Sequence, residues 1–350
     1  MITPPEPEAP QPPAAGLSPS NAAWLPMRQR LSRQRLLIVV LWTLWFWIWG
    51  PPTPLPVGWI RTAAYLAVLA LIWSVFAVRM DYGLAVRQGI IHEPFGPWLA
   101  NRLKALGFEA AFLAVAVGPL PWAMGRWPQQ WWLPMTLWLT AAWLIWTWML
   151  PALVLPRLMR TTPLPENALK DRVHQLIRHF AVPAEVVVWH VGVRSTGMQA
   201  AIAGLGRNRR ILVTDTLLNA CQPDEVLGIL AHELAHLESH DLLRRGLALV
   251  IGMGGVLATA ALLVTGTVLD SLGLVVAVVL ASGGYFRYIR QLEYRADARA
   301  VKATGNVWAY GQAMQKIAGA NQDGVLPAAD NLWQTHPGLS QRLQKLGLDG

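Results

Sequence analysis

Charged side chains are scarce in this sequence: Asp, Glu, Lys and Arg make up 14% of the 350 residues, and hydrophobic residues make up 54%. So little charge between long apolar runs indicates a membrane protein rather than a soluble domain. The single cysteine, Cys221, excludes an internal disulfide and a multi-cysteine metal site. The formal charge of +9 fits basic residues at the ends of membrane helices. No nucleic-acid-binding motif is visible, so we expect a lipid bilayer and no nucleic acid as partner.

Six stretches are apolar enough to be considered as membrane spans, and they cover residues 36–49, 62–78, 109–124, 131–156, 247–269 and 271–286. For the first, which is short, a signal peptide is the competing interpretation. The long lead before it, its tryptophans and the lack of a small-residue cleavage site count against that. The sequence therefore predicts four spans within residues 27–156 and a hairpin of two spans over 247–286.

The remaining segments complete the predicted organisation. Residues 1–26 contain eight prolines and are expected to form a disordered tail. Residues 157–246 and 287–350 are more polar and are predicted to be the two halves of one domain, with strands near 186–191 and 211–214. Lys and Arg concentrate in segments that six spans would place on one side of the membrane, and that side should be cytoplasmic. Both termini and the polar domain are therefore expected in the cytoplasm.

One motif dominates the polar domain: residues 232–236 read HELAH. On a helix, His232 and His236 share one face and can bind the same metal ion. The pattern is typical of zinc peptidases, in which the intervening glutamate, here Glu233, is the general base. The pattern also arises by chance on amphipathic helices. An apolar helix over residues 223–237, where unpaired His and Glu would be costly to bury, favours the metal interpretation.

Catalytic zinc usually has three protein ligands. Glu293 and Asp297 lie one helical turn apart, 57 residues beyond His236. Glu293 could supply the third ligand, and Asp297 could accept a hydrogen bond from a ligand histidine. The alternative is a solvated helix whose acids pair with neighbouring arginines, and spacing alone leaves both interpretations open.

Several segments together resemble one known family. Residues 162–165 read TPLP, 207–218 read RNRRILVTDTLL, 225–236 read EVLGILAHELAH, 293–297 read EYRAD, and 336–337 read HP with Arg342 following. These resemble segments of the integral-membrane gluzincin peptidases, which include the type I CAAX prenyl proteases and the related HtpX membrane proteases. The long N-terminal membrane part and the TPLP segment favour the prenyl-protease branch.

The resemblance implies one Zn²⁺ per chain with Glu293 as its third ligand. It also implies that His336 and Arg342 stabilise the oxyanion or orient ligands, the alternatives being a helix cap and a surface charge. Family members usually carry an Asn-Ala pair on the strand that holds the substrate backbone. Here the pair is Gln199-Ala200, followed by Ala201, and the longer amide bears on how substrate is positioned.

We therefore expect about six transmembrane helices with a zincin-type α+β metallopeptidase domain, located in a bacterial inner membrane. The expected activity is zinc-dependent endopeptidase cleavage of peptides or membrane proteins, including prenylated CAAX-type substrates. The alternatives are a quality-control protease without prenyl preference, a catalytically silent scaffold, and a transporter. The spans have few buried ionisable groups, which argues against a transporter.

Overall fold

The computed structural model describes residues 78–87, 89–150, 159–263, 268–321 and 337–348, together with scattered residues between 30 and 76. The chain divides into two compact units, of which the first is mainly Met1–Gly89 and the second is Ile90–Gly324 with Ala328–Leu348. In the first unit, a π-helical segment, Val78–Leu84, continues into a short α-helix, Ala85–Arg87. The predicted tail, most of the first two predicted spans and His336 lie outside the described residues. Everything below concerns the second unit.

The second unit is mainly helical. Its helices are α1 Phe95–Val117, α2 Leu120–Arg126, α3 Trp132–Met149, α4 Ala168–Phe180, α5 Asp215–Ala220, α6 Pro223–Glu238, α7 Asp241–Leu262, α8 Val268–Thr304, α9 Val307–Asn321 and α10 Leu339–Lys345. Its strands are β1 Thr161–Pro163, β2 Glu185–Trp189, β3 Ala200–Ala203 and β4 Arg210–Thr214, with a 3₁₀ turn, Gly206–Asn208, before β4.

Among the described residues, three helical stretches are long and apolar enough to cross a membrane: Phe95–Arg126, Asp241–Leu262 and Gly273–Thr304. The helix of the predicted third span starts at Phe95, well before residue 109. Basic residues such as Arg102 and Lys104 do not end a helix, since their long stems can reach the membrane surface. The tryptophan-rich α3, where we predict the fourth span, is uncharged but is not among these three. The count of six spans therefore stays a prediction.

Helices α3 and α7 pack through small residues. A Cβ added to Gly246 on α7 would overlap the ring of Trp143 on α3, and one added to Gly254 would lie 3.2 Å from Thr136. Helices approach closely where a glycine leaves room, which is how helices associate in lipid. At the end of this pair, Trp131 and Met135 pack with Ala261 in an apolar cluster.

The four strands form one sheet in the order β1-β2-β4-β3, with β2 and β4 parallel and the two outer strands antiparallel to their neighbours. Side chains alternate between its two faces. Val186, Val188, Ile211 and Val213 pack into the main core with α4 and α6. Leu212 and Val187 face the other way, toward Leu150 just past the end of α3. The sheet therefore lies between the main core and the end of α3.

The helix with the HELAH motif starts as the sequence indicates. Gln222 precedes α6, and its backbone N–H donates to the Glu225 carboxylate at 2.6 Å, closing the first turn. The long helix α8 has 37 residues and runs without a break past residue 287. The sequence predicts, at that residue, a boundary between the hairpin and the second half of the polar domain. The same helix thus begins in the apolar segment and carries Glu293.

Candidate metal centre

Two helices bring the three candidate ligands together. His232 and His236 lie one turn apart on α6, and Glu293 lies on α8, which packs against α6. The two histidine Nε2 atoms are 3.1 Å apart. Glu293 Oε2 lies 3.6 Å from His232 Nε2, and Oε1 lies 3.4 Å from His236 Nε2. Tetrahedral zinc with bonds of about 2.0–2.1 Å places its donor atoms about 3.3 Å apart, so the spacing fits one metal ion.

The site is buried within the protein. His232 and His236 are each 7% exposed, and Glu293 is fully buried. Three potential ligands with both nitrogen and carboxylate donors, converging in a dry environment, are costly unless a cation pairs with them. Glu233 differs from its neighbours because it is only partly buried. It is thus the motif residue that keeps access to solvent, as a general base for water requires.

Each histidine has an acidic partner on its other ring nitrogen. His232 Nδ1 lies 2.9 Å from Asp297 Oδ1, and His236 Nδ1 lies 2.8 Å from Asp241 Oδ2. Both carboxylates are buried. When Nδ1–H donates to a carboxylate, the lone pair of Nε2 is left to face a metal, and the ring is fixed in orientation. The arrangement serves both histidines in the same way.

The partner of His236 depends on a tight connection between α6 and α7. His240 adopts a left-handed conformation, with φ 54° and ψ 35°, and its Nδ1 donates to the Glu238 carbonyl at 3.0 Å. This conformation is uncommon outside glycine, although His, Asn and Asp tolerate it. The reversal makes Asp241 the first residue of α7 and turns it back toward His236. His240 itself is exposed, so its role here is in the turn.

A network of three side chains holds the other histidine. Arg342 donates to Asp297 through Nε at 2.9 Å and through Nη2 at 2.5 Å. Tyr310, which is fully buried, donates to Asp297 Oδ1 at 2.7 Å, and its Oη also lies 2.9 Å from His232 Nδ1. Of the two roles that the resemblance implied for Arg342, these contacts fit the orientation of a ligand.

Tyr310 reaches the site because α9 can approach α6 closely. A Cβ added to Gly228 would lie 3.1–3.3 Å from atoms of Tyr310. Gly228 precedes His232 by one turn, so both residues lie on the same face of α6. A larger residue at this position would push Tyr310 away from the histidine. Burial raises the pKa of the Tyr310 hydroxyl, which therefore stays protonated and can donate.

The alternative of a solvated helix does not apply to Glu293, which is fully buried. Arg299, on the same helix, pairs with Glu238 at 2.8 Å. Arg245, on α7, donates to Glu293 Oε1 at 2.5 Å. Glu293 thus has a basic partner while its carboxylate still faces both histidines.

The charge of the site suits a divalent cation. Glu233, Asp241, Glu293 and Asp297 contribute four negative charges, and Arg245 and Arg342 contribute two positive ones. A cation of charge +2 brings the sum to zero. Burial alone would lower the pKa of His236, but its hydrogen bonds to Asp241 and Glu293 raise it to about 9. Burial would also lower the pKa of His232, and contacts with Asp297 and Glu293 raise it. The surrounding carboxylates thus favour positive charge at the two imidazoles.

The candidate substrate residues lie on the outer strand of the sheet. Ala200 and Ala201 begin β3, which packs against α6, and the exposed Gln199 precedes them. β3 pairs with β4 on one side only among the described residues. A free strand edge can bind an extended peptide through its backbone.

Three residues of the site were not expected from the sequence: Asp241, Arg245 and Tyr310. Asp241 ends the run HELAHLESHD, and an acid so close to the motif was a usable signal. Arg245 and Tyr310 act at sequence separations of 48 and 78 residues, which no local pattern reveals.

Comparisons with known proteins agree with this geometry. The sequence model of peptidase family M48 matches residues 163–347, which is more than half of the chain. The uncharacterized metalloprotease YhfN of Bacillus subtilis (strain 168) is 23% identical over 186 residues, or 52% of this chain and 43% of its own length. The chain thus spans less than half of that relative.

Relatives from both branches of the expected family occur. A protease HtpX homolog of Syntrophobacter fumaroxidans (strain DSM 10017 / MPOB) is 27% identical over 227 residues, or 54% of this chain and 79% of its own length. A CAAX prenyl protease 1 homolog of Oryza sativa subsp. japonica is 35% identical over 77 residues, which are 21% of this chain and 18% of that protein.

The fold has a counterpart among solved structures. The crystal structure of S. mikatae Ste24p superposes with a TM-score of 0.68 at 17% sequence identity, covering 93% of this chain and 85% of that one. At this identity the similarity concerns the fold. It confirms a helical membrane-type architecture that carries a small sheet.

Proposed function

The chain belongs to peptidase family M48, and from this we propose that it is a membrane-bound, zinc-dependent endopeptidase. The observation that carries the proposal is the convergence of His232, His236 and Glu293 at tetrahedral spacing beside the accessible Glu233. An intact ligand set and general base argue against a silent scaffold.

The residues take distinct roles. His232, His236 and Glu293 hold zinc, which when bound supplies Lewis acidity that polarises a peptide carbonyl and acidifies water. Glu233 accepts a proton from the attacking water and delivers it to the departing amine. Asp297 and Asp241 fix the two histidine rings, and Arg342 acts through Asp297. His336 remains a candidate for stabilising the oxyanion.

The substrate backbone is held by strand addition to β3. The backbone N–H and C=O groups on the free edge of β3 pair with an extended peptide. The peptide then lies along β3, which packs on α6. Ala200 and Ala201 leave room for the approach because their side chains are small. Gln199 contributes an amide near the same edge.

The helices place this chemistry near the membrane surface. Twenty residues separate Gly273 from Glu293 on α8, which at about 1.5 Å per residue is about 30 Å, the thickness of the bilayer hydrocarbon. A second of the three candidate spans begins at Asp241, the partner of His236. The start of α7 and the polar part of α8 therefore meet at the metal centre, which favours substrates that arrive from the bilayer.

We propose a broad preference for apolar peptide segments, with a prenylated CAAX peptide among the substrates. The relative named as a CAAX prenyl protease homolog supports prenylated substrates. The relative named as a protease HtpX homolog supports the second candidate, a quality-control protease without prenyl preference. The proposed location is a bacterial inner membrane with the catalytic domain in the cytoplasm. A cysteine placed near Gln129 should then be labelled only from the outer side.

The test compares three substrates in the purified, zinc-loaded protein in lipid nanodiscs: a CAAX peptide, the same peptide farnesylated, and an unrelated membrane-protein fragment. Glu233→Gln, which leaves the ligands intact, is the control for contaminating proteases. Cleavage of more than one substrate is expected. Cleavage of the farnesylated peptide alone would leave dedicated CAAX processing, and cleavage of none would restore the scaffold alternative.

A further inference from the structure

The last residue of α9 makes an unusual contact with the chain just before β3. Asn321 binds both backbone polar groups of Met198, 123 residues away in sequence: the Met198 N–H donates to Asn321 Oδ1 at 2.9 Å, and Asn321 Nδ2 donates to the Met198 carbonyl at 2.7 Å. One side-chain amide thus makes the two hydrogen bonds that a neighbouring strand would make.

The contact lies on the free edge of β3. The Thr214 N–H donates to the Gln199 carbonyl at 3.0 Å, so the backbone of Gln199 faces β4. Successive residues of an antiparallel strand face alternate sides. The backbone groups of Met198, Ala200 and Ile202 therefore face away from β4. In the part of the chain that the structure describes, no strand pairs with this edge. Asn321 occupies the position at Met198 on this edge, and the positions at Ala200 and Ile202 are left for a peptide.

The surroundings hold this contact in place. Gly197 lies beside the amide, since a Cβ added to it would be in van der Waals contact with Asn321 Oδ1 at 3.4 Å. The Gly197 N–H donates to Ser195 Oγ at 3.0 Å, and Thr216 Oγ1 donates to the Gly197 carbonyl at 2.5 Å. The segment before β3 is thereby fixed on both sides.

We propose that Asn321 is a specificity-determining residue that sets where a bound peptide strand must end. This rests on the proposed peptidase function and on strand addition to β3. A peptide can pair with Ala200 and Ile202, but it cannot continue to Met198, because the amide already satisfies both backbone groups there. An antiparallel strand, which forms the more stable ladder, runs with its C-terminal end toward Met198. The number of residues that fit beyond the cleaved bond on the C-terminal side is therefore limited.

The experiment uses the full-length, zinc-loaded protein in nanodiscs and a series of quenched fluorescent peptides. The peptides share one cleaved segment and are extended stepwise, on the C-terminal side in one series and on the N-terminal side in the other. For the wild type we expect kcat/KM to fall about tenfold once the C-terminal extension passes a threshold, mainly through KM, which corresponds to about 1.4 kcal/mol. Asn321→Ala should remove most of this step, and N-terminal extension should produce no comparable step.

Two further variants separate specificity from folding. Asn306 lies at the other end of the same helix, where its Oδ1 accepts the Ala309 N–H at 3.0 Å. Asn306→Ala should lower thermal stability and leave the length profile unchanged. Asn321→Asp keeps an acceptor for the Met198 N–H but loses the donor to its carbonyl, so an intermediate step is expected. Zinc content should match the wild type in all three variants.

Binding of the same peptides to the Glu233→Gln variant, with and without Asn321→Ala, tests the proposal independently of turnover. A length step in binding without cleavage by the wild type would refute the peptidase function and leave the Asn321 proposal standing. A step in the N-terminal series instead, no step in either series, or a C-terminal step that persists in Asn321→Ala would overturn the role of Asn321.

Discussion

Asp241→Ala should weaken metal binding while leaving most of the folding free energy intact. The perturbation is well defined, because Asp241 Oδ2 makes one short contact, with His236 Nδ1 at 2.8 Å. Its other oxygen is buried without a hydrogen-bond partner among the described residues, and Arg244 lies 3.7 Å from it. The substitution therefore removes one charge-assisted hydrogen bond to a ligand, along with an oxygen that was poorly satisfied.

The magnitude follows from that single contact. Removing an outer-shell partner of a ligand histidine typically lowers metal affinity about 10- to 100-fold. This corresponds to about 1.4–2.8 kcal/mol of binding free energy. Stability without metal should fall by only about 1–2 kcal/mol, the cost of one lost partner. Asp241→Asn keeps a neutral acceptor for His236, so its effect on affinity should lie at the lower end.

Asp297→Ala is the informative comparison. Asp297 also contacts a ligand histidine, but it is the shared acceptor of Tyr310 and Arg342 as well. Its loss leaves the largely buried guanidinium of Arg342 without its carboxylate, and breaking a buried pair costs about 3–5 kcal/mol. Both variants should thus lose metal affinity, whereas only Asp297→Ala should lose much of the fold.

The assay is competition for zinc with a chromophoric chelator at one pH, together with chemical unfolding of the metal-stripped proteins in detergent. If the zinc dissociation constant of Asp241→Ala stays within about twofold of the wild type, far below the typical outer-shell effect, Asp241 does not strengthen zinc binding by His236. If Asp241→Ala unfolds as readily as Asp297→Ala, the reasoning from the number of partners is wrong.

Substitutions at four other positions give further tests. Glu293→Ala should lose most bound zinc by metal analysis, and full retention of zinc would remove Glu293 from the ligand set. Glu233→Gln should keep zinc and lose about 10²–10⁴-fold in turnover. Gln199→Asn should retain or raise kcat/KM and Gln199→Ala should raise KM at unchanged zinc content; identical kinetics in both would mean that the residue does not contact substrate. Burial would raise the pKa of Asp215, but three backbone N–H donors hold it below its usual value of 3.8. Its stabilising contribution is therefore present above that pH and lost on acidification, so Asp215→Ala should lower stability by about 1–3 kcal/mol at neutral pH, and less below about pH 3.

The local features of the site could be predicted because they follow from helix geometry. His232 and His236 share a face at a spacing of four residues, and Glu293 and Asp297 do the same on α8. The strands predicted near 186–191 and 211–214 appear as β2 and β4, since β-branched runs mark them. The short strand β3 came only from the family resemblance, because the sequence Ala-Ala-Ile-Ala has little strand character.

The domain boundary predicted at residue 287 falls inside the single helix α8. Composition changes there from apolar to charged, and a change in composition marks a change of solvent rather than the end of a helix. Helix propensity stays high through the Arg- and Ala-rich residues that follow, and no glycine or proline interrupts them. One helix therefore serves as both a candidate span and the carrier of a ligand.

The contacts across the site could not be predicted, because each depends on how separate helices pack. Asp241 meets His236 only because His240, which is not a glycine, turns the chain in a left-handed conformation. Tyr310 meets His232 only because Gly228 lets two helices approach. Neither contact has a spacing rule that a sequence pattern could express.

The metal centre is consequently coupled to the packing of the membrane helices. Asp241 and Arg245 lie in the first two turns of α7, and Glu293 lies in the last third of α8, so the positions of α7 and α8 set two sides of the site. Gly246, directly after Arg245, packs on Trp143 of α3. The donor atoms are already near the 3.3 Å or so that a tetrahedral ion requires, and a relative shift of about 1 Å would break that spacing. We therefore expect affinity for the metal to depend on how the candidate spans α7 and α8 pack, and this would link the metal centre to the bilayer from which substrates are proposed to come.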